Sequence, residues 1–184
     1  MVAPGRWPPI YDANQLQKLI RDLVATNDLA MLLYAGSINE GGLICQGDIV
    51  RMPCSLPFVD EDCEPSATEV ESEYWLVVGN TCDFDRDIAT IPWTQVVPID
   101  DRTPTAEQLD GFVRYKPSRT FFLPPWEHAL GGKHFTADLA TPATVHKKAL
   151  LNHGQVVARL SRQGWVLLHS CLVRFLCRDD GRFD

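Results

Sequence analysis

Apolar residues at helical spacing open and close the chain. Between Asp12 and Thr26 they recur at positions i, i+3, i+4, i+7 and i+8, which is one stripe of an amphipathic helix: Leu16, Leu19, Ile20, Leu23 and Val24. A second short helix is predicted from Leu29 to Ala35. Near the end of the chain another apolar stripe predicts a helix that is integral to the core: Trp165, Leu168, Leu172, Phe175 and Leu176. The pattern places N-terminal helices within residues 12–35 and C-terminal helices within 144–178.

The middle of the chain, about residues 43–139, has the pattern of short strands. Apolar runs bounded by turn residues predict strands, with Pro53 ending the second, over 43–45, 48–52, 74–78, 94–99, 120–123 and 135–139. The last two are expected to pair as a hairpin, and a short helix is predicted over 105–113, capped by Thr103 or Thr105. This order of elements predicts one α+β domain spanning 1–184, in which helices flank a small, strongly bent antiparallel sheet.

The segment from Asp60 to Glu73 contains seven acidic residues and no Lys or Arg. Its two flanking apolar runs are predicted to be neighbouring strands of one sheet, and the segment itself an exposed, mobile loop between them. The formal net charge of −7 disfavours binding to nucleic acid, which depends on many cationic contacts with phosphate. Basic residues late in the chain leave a local basic face open: Lys147, Lys148, Arg159, Arg162, Arg174 and Arg178.

Composition also indicates where the protein works. No apolar run approaches the ~20 residues that cross a bilayer, and the N-terminus lacks the apolar core of a signal peptide. We therefore expect a cytoplasmic protein with no membrane partner. The six cysteines are expected to be free thiols, and because their spacing lacks the close pairs of zinc sites, we expect neither a metal nor another cofactor.

The turn from Gly79 to Asp83 is the strongest candidate for a functional site. It follows an apolar strand, so its polar side chains emerge at the end of the sheet. The candidate catalytic residues are Asp48, Thr81, Cys82 and Asp83, and the candidate binding residues are Asn80 and His134. A nucleophilic Cys82 would need a nearby histidine, which the sequence cannot choose among His128, His134, His146, His153 and His169.

One observation weakens a catalytic interpretation of that turn, and a purely structural role is an alternative. A carboxylate next to Cys82 disfavours the thiolate that covalent catalysis needs. Alternatively, Asn80, Thr81 and Asp83 hydrogen-bond their own backbone while Cys82 packs inward. A metal pair of His134 and Asp138 is conceivable, but it would need further ligands.

Two segments together resemble a known family. Gln46-Gly47-Asp48-Ile49-Val50 and the run from Tyr74 to Asp83 are similar to the opening of the MazF/PemK toxins, and the turn Asn80–Asp83 also resembles a Ser-Gln-x-Cys-Asp turn of another bacterial family. The resemblance, which covers about residues 46–99, implies an SH3-like barrel with a ribonuclease cleft. The toxins have an Arg-Pro pair where this chain has Tyr74-Trp75, and their clefts are basic, so the resemblance implies the barrel more than the activity.

The function expected first is that of a non-catalytic binding or regulatory module of a bacterial-type cytosolic protein, acting through a protein partner. The alternatives are a nuclease or other hydrolase of MazF/PemK type, or an accessory protein of a toxin–antitoxin or phage-defence system. A cleft that collects Asp48, Asp83 and a His or Arg around Cys82 would favour an enzyme. A buried Cys82 with Asp83 capping a helix would favour a module without catalysis.

Overall fold

The computed structural model describes residues 18–22, 29–38, 43–59, 62, 65–126 and 133–176. Residues 18–22 are helical, and the predicted helix over 12–26 otherwise lies outside the described residues. The helices that follow are α1 (Leu29–Leu33), α2 (Thr81–Phe84), α3 (Ala106–Val113), α4 (Lys147–His153) and α5 (Arg162–Leu176). The strands are β1 (Asp48–Val59), β2 (Pro65–Val77), β3 (Trp93–Arg102), β4 (Thr120–Leu123), β5 (His134–Asp138), β6 (Ala143–His146) and β7 (Gln155–Arg159).

The described strands form one strongly curled antiparallel sheet with the order β4-β5-β3-β2-β1-β7. Strand β3 is central because it also pairs with β6, on the same edge as β5. Thus Val96 pairs with Val77 and Ala143 on its two sides, while Ile99 pairs with Tyr74 and Ala137. The prediction of an α+β fold with a bent antiparallel sheet and flanking helices is confirmed.

The first two strands are neighbours as predicted, because Ile49 pairs with Leu76 and Val50 with Trp75. The predicted loop is wrong over residues 65–73, which belong to β2, whereas residues 60, 61, 63 and 64 lie outside the described residues. Strand β1 also continues past Pro53. Pro53 and Pro57 each fall at a register shift between β1 and β2, where a bulge removes the need for a ladder hydrogen bond.

Other elements agree with the sequence in part. Strands β4 and β5 pair as the predicted hairpin, and α3 begins with a capping box between Thr105 and Gln108. Residues 43–45 are not a strand. Within the region predicted as C-terminal helices, β6 and β7 are strands that complete the sheet by pairing with β3 and β1. The two strands flank helix α4 directly, and the sequence pattern did not separate them from the helices on either side.

Both faces of the sheet are buried, because alternate strand residues enter two cores. Ile49, Leu76 and Val97 pack in the larger core with α1 and α5, while Val50, Trp75 and Val96 pack on the other face with α4. The residues of α5 that enter the larger core with no exposure are Leu167, Leu168 and Cys171. Leu176, which the predicted stripe placed in the core, is 73% exposed, so the buried face of α5 is rotated from the predicted one. No helix among the described residues has the length and apolar character that crossing a membrane requires.

Candidate functional site

Asp48, a predicted catalytic residue, is fully buried in an ion pair. Its carboxylate accepts hydrogen bonds from Arg159 Nε at 2.6 Å, Arg159 Nη2 at 2.9 Å and the main-chain nitrogen of Cys45 at 2.8 Å. Arg159 also donates to the carbonyl of Leu43 at 2.9 Å. The hydrogen bond to Asp48 raises the pKa of Arg159. Asp48 and Arg159 are paired across β1 and β7, so the two side chains hold the sheet together at this point.

The turn after β2 is organised by hydrogen bonds to its polar side chains. Asn80 is the N-cap of α2 and accepts from the main-chain nitrogen of Cys82 at 3.0 Å, which confirms the expectation that it bonds its local backbone. Thr81 differs, because its hydroxyl accepts from the main-chain nitrogen of Gln46 at 2.9 Å. Cys82 is exposed, so the alternative in which this cysteine packs inward is wrong. The carboxylate of Asp83 has no hydrogen bond or ion pair with another described residue, so it caps nothing there.

Gln46 connects this turn to α5. Its Nε2 donates to the carbonyl of Val78 at 2.7 Å, and its Oε1 lies 2.6 Å from Nε2 of His169. Because an amide oxygen only accepts, His169 carries a proton on Nε2 and donates it to Gln46. Burial lowers the pKa of His169 to about 4, so the ring is neutral at pH 7.

An open cleft of about 570 Å³ lies between the 78–83 turn, the start of β3 and the last turns of α5. Gln46 and His169 form part of its lining, together with Asp83. Two exposed apolar side chains also contribute: Trp93, which is 55% exposed, and Leu176. The lining residues do not include Asp48, Thr81 or Cys82, so Asp83 is the one predicted catalytic residue that lines this cleft.

The cleft residues on α5 share a helical spacing, of which the predicted stripe contained Leu172 and Leu176 but not His169 and Val173. Four residues of α5 line the cleft, and the last three follow the first by three, four and seven positions: His169, Leu172, Val173 and Leu176. That spacing places them on one helical face. A second apolar face on α5, beside the buried one, was therefore a signal for this surface.

Gly79 allows the backbone of the turn to approach β3 closely. A Cβ atom added at Gly79 would clash with Oγ1 of Thr94 and lie 3.0 Å from the main-chain nitrogen of Gln95. Thr94 is 6% exposed, and its hydroxyl has no hydrogen-bond partner among the described residues. A side chain at position 79 would therefore push the turn away from β3 and reshape the cleft.

Lys147 supports the turn from behind. It is 1% exposed, its ammonium donates to the main-chain carbonyl of Asp83, and its Nζ lies 5.7 Å from the ring centroid of Phe84. The neighbouring His146 contacts the ring of Trp93 edge to face, with 5.0 Å between centroids and 78° between planes. Helix α4 and strand β6 thus position both Asp83 and Trp93.

The second predicted binding residue, His134, lies away from this cleft. Its ring is 5.8 Å from that of Phe122, and its buried Nδ1 has no hydrogen-bond partner among the described residues. The proposed partner Asp138 is instead bound by Arg119, with N–O distances of 2.7 Å and 2.5 Å. Within the described ranges, no three His, Cys, Asp or Glu side chains are grouped so that they could hold a metal ion.

Four cysteines are free thiols: Cys45, Cys54, Cys82 and Cys171. Burial raises the pKa of Cys171 to about 12 and also raises the pKa of Cys45 and Cys54, which disfavours their thiolates. Cys63, Cys177 and His128 lie outside the described residues.

No protein-family model matches the chain, and no curated protein matches its sequence. The similarity to MazF/PemK toxins therefore stays a prediction that rests on residues 46–50 and 74–83.

Proposed function

We propose that the chain is a non-catalytic binding module and that the cleft between the 78–83 turn, β3 and α5 holds a protein partner. The observation that carries the proposal is the exposed apolar wall of this cleft. Trp93 is 55% and Leu176 73% exposed, and Leu172 and Val173 continue the same lining. Apolar side chains gathered in one concave surface are typical of interaction sites, because a partner can remove them from water.

The residues around the cleft give less support to the alternative, a nuclease or hydrolase of MazF/PemK type. The carboxylate of Asp48 is buried beneath Arg159, and the hydroxyl of Thr81 is bound to Gln46. His169 is neutral, and its Nε2 proton is directed at Gln46. A cytosolic location is part of the proposal, and the four free thiols fit a reducing compartment.

The test uses a purified partner and matched alanine variants. A photo-crosslinking residue at Gln95, which is exposed and lines the cleft, would identify the partner, and calorimetry with the purified pair would then measure affinity. We expect Trp93→Ala and Leu176→Ala each to weaken binding at least about tenfold, because they remove the apolar wall. Leu151→Ala is the control, since Leu151 is 50% exposed but does not line the cleft, and its affinity is expected to equal that of the wild type.

Two results would reject the proposal. One is a purified partner that binds the wild type and all three variants equally, which would assign binding to another surface. The other is hydrolysis of RNA or of ester substrates by the purified protein that is lost in Cys82→Ala and Asp83→Asn. That result would restore the catalytic interpretation of the turn.

A further inference from the structure

The charge of the cleft indicates what kind of group it accepts. Among its described lining residues, Asp83 is the one with a formal charge at neutral pH, because burial holds the pKa of His169 at about 4. The carboxylate of Asp83 has no partner among the described residues, and the ammonium of Lys147 is directed at the main-chain carbonyl behind it. A carboxylate beside apolar walls is complementary to a single positive charge.

The aromatic wall adds a second preference for a cation. Trp93 is held edge to face by His146 while more than half of its surface stays exposed. The face of an indole attracts cations, and a planar guanidinium both stacks on it and forms paired hydrogen bonds to a carboxylate. Trp93 and Asp83 line the same cleft, so one guanidinium group fits the chemistry of both.

We infer that the cleft receives an arginine side chain followed by an apolar residue, both from a basic segment of a partner protein. This inference rests on the proposed binding function. The volume of about 570 Å³ lies within the ~300–1,000 Å³ of typical ligand sites, and Leu172, Val173 and Leu176 offer an apolar surface for the second side chain. The net charge of −7, with exposed Asp85 close to Asp83 in sequence, favours the approach of a basic partner over that of a phosphate backbone.

Short peptides test the inference with defined probes. Pools with neutral degenerate flanks and blocked ends would carry a fixed Arg-Leu, Lys-Leu, Gln-Leu or Glu-Leu pair, and fluorescence polarisation would measure their affinities. We expect the Arg-Leu pool to bind best, the Lys-Leu pool second, and the Gln-Leu pool at least about tenfold more weakly than Arg-Leu. Blocked single arginine and single-stranded RNA serve as further probes, and both are expected to bind more weakly than the Arg-Leu pool.

Matched variants separate a specific contact from general attraction. Asp83→Asn and Asp85→Asn change the net charge equally, but Asp83 alone of the two lines the cleft. We expect Asp83→Asn to weaken Arg-Leu binding at least about tenfold and Asp85→Asn to leave it nearly unchanged. Trp93→Phe is expected to retain more binding than Trp93→Ala, because it keeps an aromatic face. Asp83→Asn changes only the side chain, so the main-chain carbonyl of residue 83 that accepts from Lys147 stays in place. Thermal melts would verify that each variant folds.

Several results would overturn the inference. Equal losses for Asp83→Asn and Asp85→Asn would mean unspecific attraction, and equal affinity for the Gln-Leu pool would mean an apolar site without a cation preference. Tighter binding of RNA or of blocked arginine would replace the protein segment with another ligand. These failures remain distinct from failure of the binding function, because a partner sensitive to Trp93→Ala could still occupy the cleft without an arginine.

Discussion

Replacing Asp48 by alanine tests whether this residue supports the sheet or performs chemistry. The substitution removes the acceptor of three hydrogen bonds and leaves the guanidinium of Arg159 without its carboxylate. Breaking a buried ion pair from one side typically costs about 3–5 kcal/mol. The side chain of Arg159 is 21% exposed and keeps its bond to Leu43, so water and that carbonyl compensate in part. We therefore expect a loss near the lower end, about 3 kcal/mol.

Urea unfolding followed by tryptophan fluorescence would measure this loss by linear extrapolation. Because domains are stable by only about 5–15 kcal/mol, the effect is a large fraction of the total. The control is Arg51→Ala, at a position on the same strand as Asp48. It breaks the exposed pair between Arg51 of β1 and Glu73 of β2 and is expected to cost less than about 1 kcal/mol. A double-mutant cycle of Asp48→Ala with Arg159→Ala is expected to give a coupling energy of about 1–3 kcal/mol.

A stabilising ion pair is refuted if Asp48→Ala lowers the free energy of unfolding no more than Arg51→Ala does. It is also refuted if the cycle is additive, because the two side chains would then contribute independently. A variant that is as stable as the wild type but has lost a hydrolytic activity would show that Asp48 is functional.

Three further predictions concern the cleft and the helix beside it. The pKa of His169 is about 4 in the folded chain and 6.5 when unfolded, so the unfolded state takes up the proton first. As the pH is lowered from 6.5 to 4, the free energy of unfolding should therefore fall by no more than about 3 kcal/mol. The urea midpoint of His169→Gln should change less over that pH range than the midpoint of the wild type does. Gly79→Ala should destabilise the protein by about 1–3 kcal/mol in thermal melts, because the new Cβ meets the Thr94 hydroxyl. Adding Thr94→Ala should recover part of that loss, and additive losses of the two substitutions would contradict the clash. Truncation before Gln163 removes the fully buried part of α5 and should abolish cooperative melting, so a melt near the intact midpoint would contradict it.

Local pattern was sufficient to predict which strands are neighbours at the site. The short apolar runs around Val50 and Trp75 are bounded by turn residues, and they pair as expected. The length of that pair could not be predicted, because Pro53 and the acidic residues of β2 argue for a loop when each segment is considered alone. The register shifts that accommodate the prolines exist only in the context of the partner strand.

The partners of the site residues could not be predicted for a related reason. Arg159 is separated from Asp48 by 111 positions, and His169 from Gln46 by 123. Pairings at such distances depend on how the whole sheet closes, and no local spacing encodes them. The sequence indicated a turn at residues 79–83, of which Gly79, Asn80 and Asp83 line the cleft. It could not distinguish a side chain that holds the turn, such as Thr81, from one that lines the cleft, such as Asp83.

The three hydrogen bonds of Gln46 have a consequence for the kinetics of the proposed partner binding. Its main-chain nitrogen and both amide atoms fix Thr81, Val78 and His169 before any ligand arrives, so the floor of the cleft is preorganised. Under the proposed binding function, a protein partner would then have to immobilise mainly the exposed lining side chains such as Trp93 and Leu176, at an entropic cost of about 0.5–1.5 kcal/mol for each. Without a slow rearrangement of the floor, we expect association to be fast and differences in affinity among partners to arise from their dissociation rates.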